Sequence, residues 1–192
     1  MRAMRIVLGS KSQGRREVLE SLGYELEILS ADIDEKAIRH EDPETLTLLL
    51  AHAKADALLP GIHHEAILIT SDQVVVCDGT ILEKPENEAQ AREYLHRYAT
   101  FPAETVTAVV VTNTATGRRA EGIDVARVVF RAIPDDVIDR FLRSGDGLHH
   151  AGGFSIEDPV LKDYIDRTEG EPESVKGLPK ALTKRLLQEV QE

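Results

Sequence analysis

Tryptophan is absent from this 192-residue chain, cysteine occurs once, and aromatic residues make up only 4% of it. A single cysteine, Cys77, cannot close an internal disulfide, which removes cystine-stapled secreted scaffolds and fits a reducing compartment. It ends an apolar run and reads as a small buried hydrophobe, because nothing around it resembles a cysteine-protease site. Positive charge is also scarce: 23 Lys and Arg stand against 34 Asp and Glu, a formal net charge of −11. That balance excludes a general nucleic-acid binder, which needs a basic surface, but leaves room for a small anion in a locally basic cleft. No apolar stretch approaches the roughly 20 residues of a membrane span. The opening Met1-Arg2-Ala3-Met4-Arg5 leads straight into Ile6-Val7-Leu8 without a leader-like apolar segment. The expectation is a cytoplasmic protein with neither membrane nor nucleic acid as partner. Internal repeats and low-complexity linkers are missing too, so the length and a hydrophobic content of 42% predict one domain over residues 1–192.

What is present alternates between two periodicities. Ile6 to Leu8 reads as a buried strand, followed by Gly9-Ser10-Lys11-Ser12 and a helix from Gln13 to Leu22 with Val18, Leu19 and Leu22 inward. Tyr24 to Leu29 alternates like a strand. Asp42-Pro43 is a helix start, and Leu46, Leu49, Leu50, Ala53 and Ala57 form one stripe ending near Pro60. Two apolar runs, Ala66 to Ser71 and Gln73 to Val76, flank Asp72, and Cys77-Asp78-Gly79-Thr80 suits a hairpin turn. Asn87 to Ala99 reads as a helix. Thr105 to Thr112 and Ile123 to Ile133 read as strands joined across Thr116-Gly117. Pro134 and Pro179 open two further helices, separated by a Gly- and His-rich loop, Gly145 to Gly153, and an extended Phe154-Ser155-Ile156. Helices interleave with strands while hairpins recur in the middle, so a mixed α/β sheet fits better than a parallel one.

Asp72 is the most informative residue. A carboxylate between two buried runs is costly to desolvate unless a cation, a metal or a proton-transfer task compensates. The hairpin after it would return Lys84 towards it, and an acid beside a cation at strand ends suits chemistry on a phosphate. The turn after the first strand is the natural anion site, since a helix N-terminus carries free N–H groups and partial positive charge. Ser10 and Ser12 add hydroxyls there. Arg15 precedes Val18 and Leu19 by three and four residues, on the inward side. Asp32, Asp34 and Glu35 could bind a hard cation through oxygen. Lys54, four residues after Leu50, either snorkels outward or enters a cleft, outward being commoner. The histidine pairs His63-His64 and His149-His150 make poor chelates because adjacent side chains diverge on regular elements.

The order Ser10…Arg15, Glu35, Lys54, Asp72, Lys84, then Ala151-Gly152-Gly153-Phe154 and Gly177-Leu178-Pro179, resembles the Maf family. These septum-formation-inhibitor homologues are viewed as nucleoside triphosphate pyrophosphatases. The resemblance covers nearly the whole chain. It implies a fold like that of the inosine triphosphate pyrophosphatases: an elongated mixed sheet with flanking helices and two lobes around a deep cleft. It implies hydrolysis between the α- and β-phosphates to a monophosphate and pyrophosphate, with Mg²⁺ or Mn²⁺ as cofactor, in a homodimer. By matching position, Asp72 would be the catalytic carboxylate and, with Glu35, would hold metal. Arg15, Lys54 and Lys84 would bind the triphosphate, and Ser10 matches the first-loop serine.

Two departures bear on the base. Many members read Ser-Pro-Arg-Arg in the first loop, whereas here Gly14 stands where the first arginine would be and Arg15 matches the second. The usual Ala-Asp-Thr is Ser71-Asp72-Gln73, which resembles the subgroup preferring 7-methylguanosine triphosphate; Gln73 would then lie close to the substrate. Glu157, where pyrimidine-type members carry Gln, can accept two hydrogen bonds from a guanine edge. The expected substrate is a modified guanine nucleotide. The alternatives are a dTTP/UTP pyrophosphatase of the same family, or a nucleotide-binding regulator of cell division with little turnover. A phosphatase using an aspartyl-phosphate lacks the paired Asp-x-Asp here.

Overall fold

The computed structural model describes residues 5–192, so Met1 to Met4 of the lead-in lie outside the described residues. The expected strand-turn-helix opens the chain. Arg5–Leu8 forms β1 and Gln13–Ser21 forms α1, whose Ser12 cap accepts the Arg15 N–H. Leu26–Ile28 forms β2, shorter than its alternation suggested. Asp42 caps the long helix α2, Pro43–Leu58, by accepting from the Thr45 N–H at 2.8 Å. These first three strands run parallel, with α1 and α2 supplying the crossovers that parallel pairing demands.

Sequence patterning suggested a break at Asp72, but the backbone has none. Ala66–Cys77 is one continuous strand, β3, and Asp72 pairs with Ala108 in its middle. The reason lies on the neighbouring strand: β5 (Ala103–Asn113) pairs with β3 from Ile67 to Val76 without interruption and keeps it extended through the charged position. The hairpin to β4 (Thr80–Leu82) turns through Asp78 and Gly79, with φ of 50° and 69°, the left-handed pair that a two-residue hairpin requires. β6 begins at Arg119, earlier than the apolar pattern indicated, and runs to Phe130. Arg119 and Glu121 hide its start by facing outward while their backbones complete the ladder with β5. Polar β7 (Ile165–Glu169) and the one-turn helix α5 (Pro172–Val175) have no hydrophobic signature and were not anticipated. Among the described residues the sheet runs β2-β1-β3-β5-β6-β7, with β4 also on β3.

The long strands alternate between two covered faces. Ile67, Ile69, Val109 and Val111 pack with α1 and α6 (Lys180–Glu189); Leu68, Ala108 and Val110 pack against α2. A second lobe gathers the far ends of β3, β5 and β6 with α3 (Glu88–Arg97) and α4 (Asp135–Leu142). Its centre holds most of the few aromatic rings. Tyr98 stacks on Phe130 with centroids 5.4 Å apart, and Phe154 meets both edge-on. The buried Tyr98 hydroxyl donates to the Gly152 carbonyl at 2.7 Å, and burial pushes its ionisation well above the usual tyrosine range. This bond ties the Gly-rich loop to the second lobe. Tyr98→Phe should orphan that carbonyl and destabilise the protein by about 1–3 kcal/mol. Denaturant melts of the two proteins check this; equal midpoints would remove the bond from the stability of the lobe.

Candidate active site

The site forms where the sheet is incomplete. β1 leaves β3 after the Leu8–Ile69 pair, with one last bond from the Gly9 N–H to the Ile69 carbonyl at 2.8 Å. β4 joins the same edge only at Val75. Between them, Thr70 to Val74 have no strand on this edge, and α1 and the 174–177 segment fill part of the gap with side chains and carbonyls. A cleft of about 1300 Å³ opens there, and Ser10, Arg15, Glu35, Lys54, Asp72, Gln73, Lys84 and Glu157 all line it. These eight share one hollow, whereas Asp32 and Asp34, weighed with Glu35 as cation ligands, do not line it.

Asp72 points towards α2 and is only 7% exposed. Its counter-charge is Lys54, whose Nζ lies 2.5 Å from Asp72 Oδ1 and 2.9 Å from Glu35 Oε1. The commoner expectation for Lys54, an outward snorkel, is corrected: its place on α2, directly over Asp72, leaves a buried carboxylate that draws it inward. Glu35 opens a short helical turn beyond Asp34 and is far more exposed than the other two, so the trio runs from a dry end at Asp72 to a wet one at Glu35.

Arg15 is held by the main chain around it. Its Nε donates to the Gly177 carbonyl at 3.0 Å, and Nη1 donates to the Ser71 carbonyl at 2.6 Å and to Ser10 Oγ at 3.5 Å. These bonds fix the guanidinium plane against the bare edge of β3. Burial lowers its pKa, and the charges of Asp72 and Glu35 act in the opposite direction; an arginine keeps its proton through such a shift. Ser10 Oγ also accepts from the Ser12 N–H at 3.1 Å, so the first-loop serine helps shape the turn. Lys84 follows Glu83, whose carbonyl accepts the Gly152 N–H at 3.1 Å, and this bond anchors it beside the Gly-rich loop. His149 and His150 line the same wall; burial lowers the pKa of His150, with Asp146 opposing and His149 and Lys84 adding to the fall.

Gln73 lies on the opposite face of β3. Its Nε2 donates to Thr107 Oγ1 and to the Ser174 carbonyl, both at 2.7 Å. A carbonyl can only accept, so the amide orientation is determined and Oε1 is left as the acceptor. Glu157 is held by Lys176, with Nζ 2.5 Å from Oε1. Neither Lys176 nor the 174–177 segment as a whole was singled out as a site element, although Gly177-Leu178-Pro179 drew notice as a motif. Lys176 meets Glu157 across 19 positions, and the Ser174 and Gly177 carbonyls meet Gln73, Ser71 and Arg15 across more than a hundred, beyond the reach of any local pattern.

Among the described residues, no group of three or more His, Cys, Asp or Glu side chains could hold a metal ion. Glu35 and Asp72 nevertheless converge on one positive centre, the Lys54 ammonium. Two carboxylates of this kind fit a hard cation such as Mg²⁺, which draws its remaining oxygens from water and substrate phosphates.

Comparison with known proteins agrees with this geometry. The family model described as Maf-like protein matches residues 5–190. A 7-methyl-GTP pyrophosphatase of Dictyostelium discoideum is 48% identical, over 96% of this chain and 96% of its own length. A dTTP/UTP pyrophosphatase of Deinococcus radiodurans is 36% identical, covering 96% and 92%. A HAM1 protein of Coxiella burnetii shares the fold at 14% identity, with a TM-score of 0.52 over 98% of each chain. A match across almost the whole length, with the acid, its lysine and the arginine of the first helix converging in one cleft, shows that this chain belongs to the Maf family.

Proposed function

We propose that this protein hydrolyses a nucleoside triphosphate to a monophosphate and pyrophosphate, with a modified guanine nucleotide of the 7-methyl-GTP kind as substrate. The observation that carries the reading is the Lys54 bridge between a buried Asp72 and the more exposed Glu35, in a cleft that Arg15 and Lys84 also line. The names of the Dictyostelium and Deinococcus relatives support the reaction class, and the former supports the base. Gln73 and Glu157 add to that choice. Both offer acceptor oxygens, which suit the N–H groups of a guanine edge and oppose the carbonyl-rich edge of a pyrimidine.

The chemistry follows from charge. Water attacks the α-phosphorus, the bond to the bridging oxygen breaks, and that oxygen leaves on pyrophosphate. Asp72 accepts a hydrogen bond from the attacking water, orients it and takes up the proton that it loses as the new bond to phosphorus forms. Lys54 holds Asp72 in place and offsets charge on the phosphoryl oxygens, while Lys84 and the α1 N-terminus take the outer phosphates. Mg²⁺ or Mn²⁺, held by Glu35 and Asp72 together with phosphate oxygens, would neutralise charge on the leaving group. A homodimer in the cytoplasm belongs to the same reading. Leu49 and Val125, 44% and 43% exposed on the α2 side of the sheet, supply apolar surface for a second copy. No helix among the described residues is long and apolar enough to cross a membrane.

The direct test is a nucleotide panel with identification of the products. Pyrophosphate should be released from 7-methyl-GTP with Mg²⁺ or Mn²⁺ and cease with chelator; orthophosphate as the first product would exclude this bond cleavage. Asp72→Asn should lower kcat by roughly 10²–10⁴-fold, the range for a positioned proton acceptor, while nucleotide binding survives. An unchanged kcat would take Asp72 out of the mechanism. Lys84→Ala should weaken triphosphate binding by about 10–100-fold, as expected for one charge-assisted hydrogen bond, and monophosphate binding much less. Equal losses in calorimetry would place Lys84 away from the outer phosphates.

A further inference from the structure

Lys176 has no role in the chemistry above, yet its main chain is among the most firmly held in the cleft. Two residues earlier, the Ser174 carbonyl accepts from Gln73 Nε2 and Thr107 Oγ1. One residue later, the Gly177 carbonyl accepts from Arg15 Nε and from Ser71 Oγ, the latter at 2.9 Å. On the side facing α1, Gly14 gives it room: a Cβ at position 14 would sit 3.2 Å from the Lys176 carbonyl oxygen and 3.4 Å from its Cβ. The position where related first loops carry an arginine is thus occupied here by the close approach of the 176 backbone.

From this anchored backbone the Lys176 side chain, 22% exposed, reaches Glu157 Oε1 at 2.5 Å. Glu157 is held from the other side, where its N–H donates to Ser155 Oγ at 3.3 Å. The carboxylate therefore has a fixed counter-ion of its own within the cleft, and a base that approaches Glu157 meets a pair whose net charge is zero. A purine alkylated at N7 carries a full positive charge on its ring, whereas the parent purine carries none. The two therefore feel the charge of that pair differently although they present the same donor edge.

We infer that Lys176 is a specificity-determining residue: by pairing with Glu157 it sets the net charge of the base subsite and so limits the preference for a cationic N7-alkylated purine over a neutral one. This rests on the reading that Glu157 faces the base. Removing Lys176 leaves the pair at −1 and should favour the cationic ring; removing the Glu157 charge leaves +1 and should disfavour it. Lys176 touches neither Asp72 nor Glu35, so its effect is on binding.

The test measures dissociation constants of 7-methyl-GMP and GMP by calorimetry, at mildly acidic pH where the alkylated ring keeps its N1 proton. No turnover is needed. Lys176→Met should raise the preference for 7-methyl-GMP by roughly three- to tenfold, the range for one charged contact at a half-exposed carboxylate. Glu157→Gln should lower it, and the double variant should return it close to the wild-type value. The shift in Lys176→Met should shrink as salt rises. Lys176→Arg, which keeps the charge, should leave the preference unchanged, and Lys176→Gln serves if the methionine variant is unstable by circular dichroism. Equal losses for both ligands in Lys176→Met and Lys176→Gln, with Glu157→Gln still lowering the ratio, would overturn the role of Lys176 and leave Glu157 as base reader. A ratio that neither residue moves would overturn both, while pyrophosphate release in the panel assay would continue to support the reaction class.

Discussion

A carboxylate in the middle of a buried strand demands a counter-charge, and the Lys54 ammonium supplies it. Without Lys54, Asp72 would face the apolar residues of α2 with no directly paired cation, only the charge of Arg15, to offset its desolvation. With it, the acid remains in the sheet, its backbone completes the ladder with β5, and its side chain is fixed at the floor of a cleft. The third partner, Glu35, extends this arrangement towards solvent. Two acids around one cation leave the trio with a net charge of −1, so it has room for further positive charge.

The same residues depend on an interruption in the sheet. Were β1 to continue alongside β3, or β4 to begin earlier, the edge from Thr70 to Val74 would be covered and no cleft would exist. The chain avoids this by turning β1 into α1 through a serine-capped loop, and by placing a two-residue turn after Cys77 so that β4 reaches only as far as Val75. Arg15 then bonds the exposed Ser71 carbonyl and ties the edge to the 174–177 segment. Structure and site are one set of bonds here. The Arg15 guanidinium that would meet phosphate also satisfies the Ser71 carbonyl left bare by the missing strand.

Much of the framework was legible along the chain. Helix caps at Ser12 and Asp42, the Asp78-Gly79 turn and the apolar stripes of α1 and α4 all follow from short-range rules, and each lies where those rules placed it. The stripe of α2 is half corrected: Leu46 and Leu50 are buried, but Leu49 and Ala57 are exposed, and Thr47, Ala51 and Ala55 face inward because the helix packs on β3 and β5 through that side. The missed strands have a common cause. β7 and the start of β6 are polar because they lie at an edge or alternate outward, so ladder bonds rather than burial define them. The supposed break at Asp72 arose because a charge reads locally as a strand end, whereas pairing with β5 decides the backbone.

The candidate site divides along the same line. Residue types and spacing pointed to Asp72, Lys84 and Arg15, since an acid inside an apolar run and cations beside a helix start carry their meaning locally; the choice of Glu35 from the acidic run Asp32, Asp34 and Glu35 came from the resemblance to the Maf family. Which way Lys54 points, which atom of Gln73 faces the cleft, and that Glu157 has Lys176 as its partner were decided only by tertiary structure. Each depends on groups brought together from 18 to 101 positions apart. Periodicity specifies which face of an element is buried, but the direction of a charged side chain is set by the nearest opposite charge or open carbonyl in space, and folding alone determines that neighbour.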